Sequence, residues 1–196
     1  MKNRRIVLFL MIAILLLGIC GSASAEVASG SVRDGVFDNK EGISFTVPKG
    51  FTVVEQTNKS AGFFRIALEG KQDLYGFAPA MVVDIYPGAK NISSYKAADF
   101  REDIVRHRIS WGDDTYSDFL FLNDDIINDN GYKTREMFLI CRLERWGSTR
   151  NSYTYGLCFS TRKSFVRIYY SCFGSQQSMV TDIEGARQIY DTLIVP

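Results

Sequence analysis

His107 is the only histidine of the chain, so it is the only conventional general base that could activate a Ser or Cys nucleophile. A histidine general base needs a serine or cysteine nucleophile within hydrogen-bond reach. His107 instead follows Ile104 on the apolar side of a helical segment, and the chain has no G-x-S-x-G motif. The pattern favours a packed or boundary histidine. A hydrolase using His107 with Cys or Ser is the less favoured alternative.

Other catalytic signatures are missing from the sequence as well. A single histidine excludes H-E-x-x-H zinc sites and multi-histidine metal centres. The chain has no C-x-x-C pair, no Walker loop and no G-x-G-x-x-G motif after a strand. We therefore expect a protein that is not an enzyme, with no catalytic, metal-binding or cofactor-binding residues and no cofactor.

The acidic stretch NDDIINDNG, residues 123–131, invites comparison with a calcium loop. An EF-hand loop has glycine at its sixth position and oxygen ligands at its first and twelfth. Placing Gly131 sixth puts Ile126 first and Met137 twelfth, and neither side chain offers an oxygen. The stretch favours a solvated hairpin loop that turns at Asn130 and Gly131. Weak adventitious Ca²⁺ binding is the alternative.

Three cysteines, Cys141, Cys158 and Cys172, lie in the second half of the chain. If residues 162–163 form a two-residue turn, Cys158 faces Arg167 across a hairpin. Cys172 then points to the opposite side of the sheet, so these two thiols cannot pair. Buried free thiols are favoured, and a strained bridge between Cys141 and Cys158 is the open alternative.

The first 25 residues have the order of a secretory signal peptide: basic residues, an apolar run over 6–19, and small residues before Glu26. The run is 14 residues long and would span about 21 Å as a helix, less than the ~30 Å of a bilayer core. We expect cleavage before Glu26, an extracytoplasmic (periplasmic or secreted) protein, and no transmembrane span after cleavage. The alternatives are an uncleaved anchor and lipidation at Cys20, which Ile19 disfavours.

The charge of the remaining chain argues against one class of partner. The leader carries three of the 23 basic residues and none of the 22 acidic ones, which leaves 20 basic residues and a formal charge of −2. A nucleic-acid-binding domain is usually strongly basic. We therefore expect no nucleic-acid partner.

Apolar periodicity predicts one domain over residues 36–196, preceded by a flexible N-terminal segment at 26–35. Strands are predicted at 43–47, 51–55, 62–69, 78–86, 117–122, 132–145, 152–160 and 163–173. Helices are predicted at 94–109, with Ser93 as N-cap, and at 178–193. Strand 163–173 is apolar on both faces, so helices should cover both sides of the sheet. The fold class is α+β: a three-layer α/β/α sandwich with a mostly antiparallel central sheet and two main helices.

Two groups of side chains could serve binding rather than catalysis. The basic group could dock an anionic surface or simply protect strand ends; it consists of Arg142, Arg145, Arg150, Arg162, Lys163 and Arg167. The aromatic group is expected mostly in the core, with any projecting member adding to a partner surface; it consists of Tyr153, Tyr155, Phe159, Tyr169, Tyr170 and Phe173.

Four segments resemble the PsbP-like superfamily: FDNKEGISFTVPKGFTV, GYKTREMFLICRLE, FVRIYYSCF and ARQIYDTLIVP. This superfamily includes the extrinsic PsbP protein of photosystem II, the Ran-binding Mog proteins and many exported bacterial proteins. The resemblance covers nearly all of residues 36–196. It implies an α/β/α sandwich that works by binding a partner, without shared catalytic residues. No site residue is carried over, because the chain has no functional motif that would place one.

The sequence thus predicts an exported, non-enzymatic binding or accessory protein whose unknown partner is a protein or an envelope component. A small-molecule or metal-ion carrier is the alternative. The partner-binding residues stay unassigned at this point.

Overall fold

The computed structural model describes residues 30–57, 62–72, 78–107, 115–145, 147–173 and 176–196. Side chains at 55–57, 104–107, 115, 145, 148 and 176–182 are not described. The predicted signal peptide, residues 1–25, lies outside the described residues.

Ten strands and two helices form within the described ranges. The strands are β1 (Gly30–Arg33), β2 (Val36–Asn39), β3 (Ser44–Thr46), β4 (Thr52–Thr57), β5 (Phe64–Glu69), β6 (Ala80–Pro87), β7 (Thr115–Asp129), β8 (Tyr132–Arg145), β9 (Ser148–Ser160) and β10 (Ser164–Phe173). The helices are α1 (Ala97–His107) and α2 (Gln176–Thr192). Neither helix is both long and apolar enough to cross a bilayer, as judged on the described residues.

The strands form two sheets. The larger sheet has seven strands in the order β4-β5-β6-β10-β9-β8-β7, and the smaller has three in the order β1-β2-β3. Neighbouring strands in both sheets pair antiparallel. This confirms the predicted α+β class, with two helices and a mostly antiparallel sheet.

Strand β10 lies at the centre of the larger sheet, and its residues from Ser164 to Cys172 are all buried. Its side chains enter two separate cores because successive residues point to opposite faces. Val166 and Tyr170 join a core that also contains residues of α2 and the smaller sheet. Phe165 and Tyr169 join a core that contains Phe100 of α1. The two predicted helices therefore supply apolar side chains to opposite faces.

Helix α1 approaches the sheet closely at one glycine. A Cβ atom added at Gly156 of β9 would lie 2.2 Å from Cζ of Phe100. Phe100 is fully buried. Gly156 therefore makes room for the aromatic ring that anchors α1, which explains a glycine in the middle of a long strand.

Several elements differ from the predictions. Gly30–Arg33 forms β1 inside the segment 26–35 that was expected to be flexible. Its side chains are mostly exposed, so backbone pairing with β2, rather than an apolar pattern, holds it. The strands predicted at 43–47 and 51–55 lie in different sheets, because β3 pairs with β2 and β4 pairs with β5.

Helix α1 begins at Ala97, three residues later than predicted. Ser93 lies instead in a turn in which the Asn91 carbonyl accepts the backbone N–H of Ser94. The helix is capped by Asp99, whose carboxylate accepts the backbone N–H of Lys96 at 2.7 Å. Ser93 is therefore not the N-cap.

We expect Gly156→Ala to lower the free energy of unfolding by about 1–3 kcal/mol, because the new methyl group displaces the Phe100 ring. Denaturant unfolding of single and double variants measures this. In a Phe100→Ala background the same change should cost much less, since the ring is gone. Equal costs in both backgrounds would contradict the close contact between α1 and β9.

Candidate functional site

A cleft of about 320 Å³ lies where the two sheets meet, and we call it the inter-sheet cleft. Its buried apolar lining consists of Ile43, Phe64 and Ile85. The segment after α2 adds Val195 and Pro196. The remaining lining residues are Glu41, Phe63, Pro87, Lys163 and Ser164. The wall of the cleft is thus mainly hydrocarbon, with few polar groups at its edge.

Backbone pairing holds the segment after α2 in place beside the cleft. The N–H of Ile194 donates to the carbonyl of Ser44 at 2.8 Å, and the N–H of Ser44 donates to the carbonyl of Ile194 at 3.2 Å. The hydroxyl of Thr192 also accepts the N–H of Thr46 at 2.9 Å. The C-terminal residues therefore extend the smaller sheet beside β3, which places Val195 in the wall of the cleft.

Lys163 brings positive charge to the edge of the inter-sheet cleft. It lies in the turn between β9 and β10, where the hydroxyl of Thr161 accepts its backbone N–H at 3.2 Å and its carbonyl accepts the N–H of Gly88 at 2.7 Å. The side chain is exposed. An apolar group that enters the cleft would therefore contact apolar side chains inside. At the entrance it would pass the exposed side chain of Lys163, whose backbone is held by the turn.

A second depression lies beside α2 and has a more polar wall. It measures about 460 Å³ and is lined by Pro48, Lys49, Phe51, Met81, Glu184, Gly185 and Gln188. A ligand site usually combines a mostly apolar wall with a few convergent polar groups. The inter-sheet cleft matches that description better, so it is the stronger candidate for a binding site.

Three buried charged side chains and the partly exposed Asp103 form a charge network on the other face of the larger sheet. Asp84 of β6 accepts two hydrogen bonds from Arg65 of β5, at 2.8 and 2.9 Å, and one from Arg167 of β10 at 2.5 Å. Arg167 Nη1 also lies 2.7 Å from Asp103 of α1. Asp84 and Arg167 have no exposed surface. The network therefore joins three adjacent strands and one helix.

Both arginines of this network stay charged although they are buried. Burial is the largest single effect and tends to lower the pKa of a guanidinium, but the carboxylate of Asp84 and the neighbouring tyrosines together hold the pKa of Arg65 and Arg167 above the ordinary value. Arg167 Nε has no hydrogen-bond partner among the described residues, and the contact of its Nη1 with Asp103 lacks hydrogen-bond geometry. The buried charges have also lost their hydration. Replacing one member of an ion pair therefore leaves its partner buried without compensation, which lowers the free energy of unfolding.

A smaller polar cluster ties α2 to β8. The carboxylate of Glu136 pairs with Arg187 of α2 and accepts the hydroxyl hydrogen bond of Tyr155 at 2.5 Å. Burial and the neighbouring Glu136 raise the pKa of the Tyr155 hydroxyl above its ordinary value. Tyr190 adds a hydrogen bond with Thr134 at 2.7 Å. These contacts fix the end of α2 that leads into the cleft wall.

His107 is the last residue of α1, and the prediction about its side chain lies outside the described residues. No group of three or more His, Cys, Asp or Glu side chains in the described part of the chain could hold a metal ion.

Residues 123–129 continue strand β7 and do not form a loop, although the turn at Asn130 and Gly131 is as predicted, with φ values of 49° and 76°. Two of the carboxylates in this stretch are engaged by arginines: Asp124 pairs with Arg135, and Asp129 with Arg187. The stretch therefore closes a hairpin and holds ion pairs.

Cys141, Cys158 and Cys172 are buried and form no disulfide among the described residues. Cys158 faces Arg167 as predicted, and Cys172 points to the opposite face. Cys141 faces Ser152, so it does not lie opposite Cys158, and the conceivable bridge between them is not formed. Burial raises the pKa of the Cys158 thiol to about 12.

The basic group does not form one surface. Arg167 was expected at the surface or at a strand end, but it is fully buried because Asp84 and Asp103 neutralise it. Arg142 pairs with Asp118 on the exposed face of β7 and β8. The aromatic group is buried as expected for core residues, with Phe173 half-buried.

The inter-sheet cleft and the buried charge network are not among the features predicted from the sequence. The cleft depends on residues far apart in the chain, such as Ile43, Ile85 and Val195, which no local pattern connects. The network did have a local signal: Arg65, Asp84 and Arg167 each interrupt an otherwise apolar strand. Charges in central strands are rarely buried unless they are paired.

Solved structures of low sequence identity are similar to this chain. No family model matches the chain, and no curated protein matches it. Among solved structures, the chain is similar to cyanobacterial PsbP (CyanoP) from Synechocystis sp. PCC 6803, with a TM-score of 0.48, 17% identity, and coverage of 92% of this chain and 99% of that chain. It is also similar to LpqN, involved in cell envelope biogenesis of Mycobacterium tuberculosis, with a TM-score of 0.47, 10% identity, and coverage of 86% of this chain and 90% of that chain.

We expect Asp84→Ala to lower the free energy of unfolding by about 3–5 kcal/mol, because Arg65 and Arg167 would stay buried without their shared carboxylate. Arg142→Ala is the control, since it breaks the exposed pair with Asp118 and should cost at most about 1 kcal/mol. Denaturant unfolding measures both. Similar costs for the two variants would contradict a buried network that organises the sheet.

The raised pKa of Cys158 predicts a loss of stability in alkali. In the folded protein this thiol stays protonated up to about pH 12, whereas in the unfolded chain it ionises from about pH 9. Stability conferred by the protonated thiol is therefore complete below about pH 9 and falls as the pH rises toward 12. Unfolding curves of the wild type and Cys158→Ala between these pH values should show a weaker alkaline loss in the variant. Parallel pH dependence of the two proteins would contradict the raised pKa.

Proposed function

We propose that the protein is an extracytoplasmic, non-enzymatic binding or accessory protein whose inter-sheet cleft takes an apolar part of a protein partner or envelope component. The observation that carries this proposal is a cleft of about 320 Å³ with a mainly hydrocarbon wall. The fold that presents the cleft is a three-layer α/β/α sandwich, with α1 and α2 on opposite faces of the larger sheet.

The size of the cleft supports a binding role. Its volume lies at the lower end of the range found for ligand sites, roughly 300–1,000 Å³. Such a space accommodates a large apolar side chain of a partner or part of an acyl chain, and it does not require a small free ligand. Ile43, Phe64 and Ile85 give the contact surface, and burying apolar groups against them provides the driving force.

The chemistry of the lining also supports binding rather than catalysis. The polar lining residues are Glu41, Lys163 and Ser164. Lys163 and Ser164 are neighbours in the turn that leads into β10, and no histidine or cysteine is among the described lining residues. A serine nucleophile would need a base to activate it. The polar groups are better suited to orienting a bound group.

A small-molecule carrier is the second candidate, because the same cleft could hold an apolar ligand of modest size. In that case a ligand should accompany the purified wild-type protein in native mass spectrometry. A hydrolase that uses His107 gains no support from the lining of the cleft.

Val195→Asp tests the proposal, with Ile194→Asp as the matched control. Val195 lines the cleft, whereas Ile194 is 62% exposed and is not among the lining residues. A carboxylate in the cleft would meet apolar walls, so we expect binding of the envelope component to weaken about tenfold or more in Val195→Asp and to be unchanged in Ile194→Asp. The measurement is capture from a detergent-solubilised envelope fraction, followed by titration of the captured component.

Equal binding by wild type, Val195→Asp and Ile194→Asp would contradict the cleft as the binding site. Repeated failure of the wild-type protein to retain any specific component would contradict the binding role itself. Thermal unfolding of both variants checks that the fold is kept, because the two substitutions lie next to each other on the same segment.

A further inference from the structure

Three aromatic rings surround the ammonium group of Lys90 on the face of the larger sheet opposite the inter-sheet cleft. Lys90 Nζ lies 4.6 Å from the ring centroid of Phe165, 5.4 Å from that of Tyr86 and 5.7 Å from that of Tyr95. A cation within about 6 Å of a ring centroid is attracted by the ring quadrupole. We call Tyr86, Tyr95 and Phe165 the aromatic cage.

The rings of the aromatic cage are held by contacts that do not involve Lys90. The hydroxyl of Tyr95 donates to Asp103 at 2.8 Å, and the hydroxyl of Tyr86 accepts from Arg167 at 2.9 Å. Phe165 is fully buried in β10. The Phe165 centroid also lies 4.9 Å from that of Tyr95 and 5.8 Å from that of Tyr86. The cage should therefore keep its shape when the lysine side chain leaves.

The side chain of Lys90 is held far less firmly than the rings. Its backbone is fixed, because its N–H donates to the Ser160 hydroxyl at 3.0 Å and its carbonyl accepts from the same hydroxyl at 2.7 Å. The residue is exposed, and its ammonium forms no ion pair with a carboxylate of the described residues. The ring faces are thus the main attraction holding this ammonium, and water can reach it.

We propose that Tyr86, Tyr95 and Phe165 form a binding site for a trimethylammonium group, which Lys90 fills when no ligand is present. A lysine ammonium is compact and strongly hydrated. A trimethylammonium group spreads its charge over methyl groups that contact all three rings, and it gives up less hydration on entry. Aromatic cages recognise quaternary ammonium ions for this reason. The site is separate from the inter-sheet cleft and does not depend on the proposed function.

The alternation of side chains along β6 and β10 explains why the two sites occur together. Successive residues of a strand point to opposite faces. Ile85 and Ser164 line the inter-sheet cleft, and their neighbours Tyr86 and Phe165 form the cage. Phe63 lines the cleft and also stacks on Tyr86 at 5.0 Å. The same ends of β6 and β10 therefore build both sites.

Titration of Lys90→Ala with choline, followed by NMR shifts of the aromatic protons, tests the aromatic cage. In the wild type, choline must displace a tethered ammonium that competes for the same rings. We expect Lys90→Ala to bind choline about tenfold more tightly than the wild type. Lys49→Ala, which removes another exposed lysine away from the cage, should bind choline as the wild type does.

Two further measurements separate a cation site from a simple apolar hole. The neutral isostere 3,3-dimethyl-1-butanol should bind Lys90→Ala clearly more weakly than choline does. Adding Tyr86→Leu to Lys90→Ala should remove most of the choline binding, with circular dichroism confirming that the double variant is folded. A folded Lys90→Ala that does not bind choline, or binds the isostere equally well, would overturn the proposal.

The source of the trimethylammonium group is decided by comparing free choline with lipid vesicles. Preferential binding of Lys90→Ala to phosphatidylcholine over phosphatidylglycerol vesicles would assign the site to a lipid headgroup. Binding of free choline without this preference would assign it to a dissolved solute. Failure of both ligands would overturn the cage while leaving the inter-sheet cleft untouched, because the two sites lie on opposite faces.

Discussion

The structure depends on one buried carboxylate, that of Asp84, which holds two arginines at the centre of the larger sheet. Arg65 and Arg167 lie directly opposite Asp84 on the two neighbouring strands. A shift of either strand by one residue would bury a charge without its partner and turn apolar side chains away from the core. The ion network therefore fixes the register of β5, β6 and β10, and through Asp103 it also positions α1.

That register determines what the ends of the strands present. In strand β6, Asp84 is followed by Ile85 and Tyr86, whose side chains point to opposite faces of the sheet. Strand β10 runs antiparallel beside it and presents Ser164 and Phe165 at the same end. The inter-sheet cleft and the aromatic cage are therefore two products of one register, and the buried network is the common support of both.

Sequence reasoning predicted the elements better than the sites, for physical reasons. Alternating and continuous apolar patterns are local, so the sequence places β8, β10 and α2 to within a few residues. The position of Cys158 opposite Arg167 follows from the turn between β9 and β10. Three features lacked such signals. Gly30–Arg33 is a strand without an apolar pattern, β3 and β4 separate into different sheets, and the cleft joins residues 43, 85 and 195. The charged residues Arg65, Asp84 and Arg167 can be seen in the sequences of their strands. Which of them form ion pairs depends on the order of the strands in the sheet, which no local pattern shows.

Methyl NMR on protein labelled at isoleucine and valine would test the central claim, binding in the inter-sheet cleft, most directly. Ile43, Ile85 and Val195 line the cleft, whereas Val54 and Ile126 are exposed residues that do not line it. We expect the captured envelope component to shift the methyl signals of Ile43, Ile85 and Val195 and to leave those of Val54 and Ile126 unchanged. Shifts confined to Val54 or Ile126, with the cleft methyls unmoved by a bound component, would contradict it.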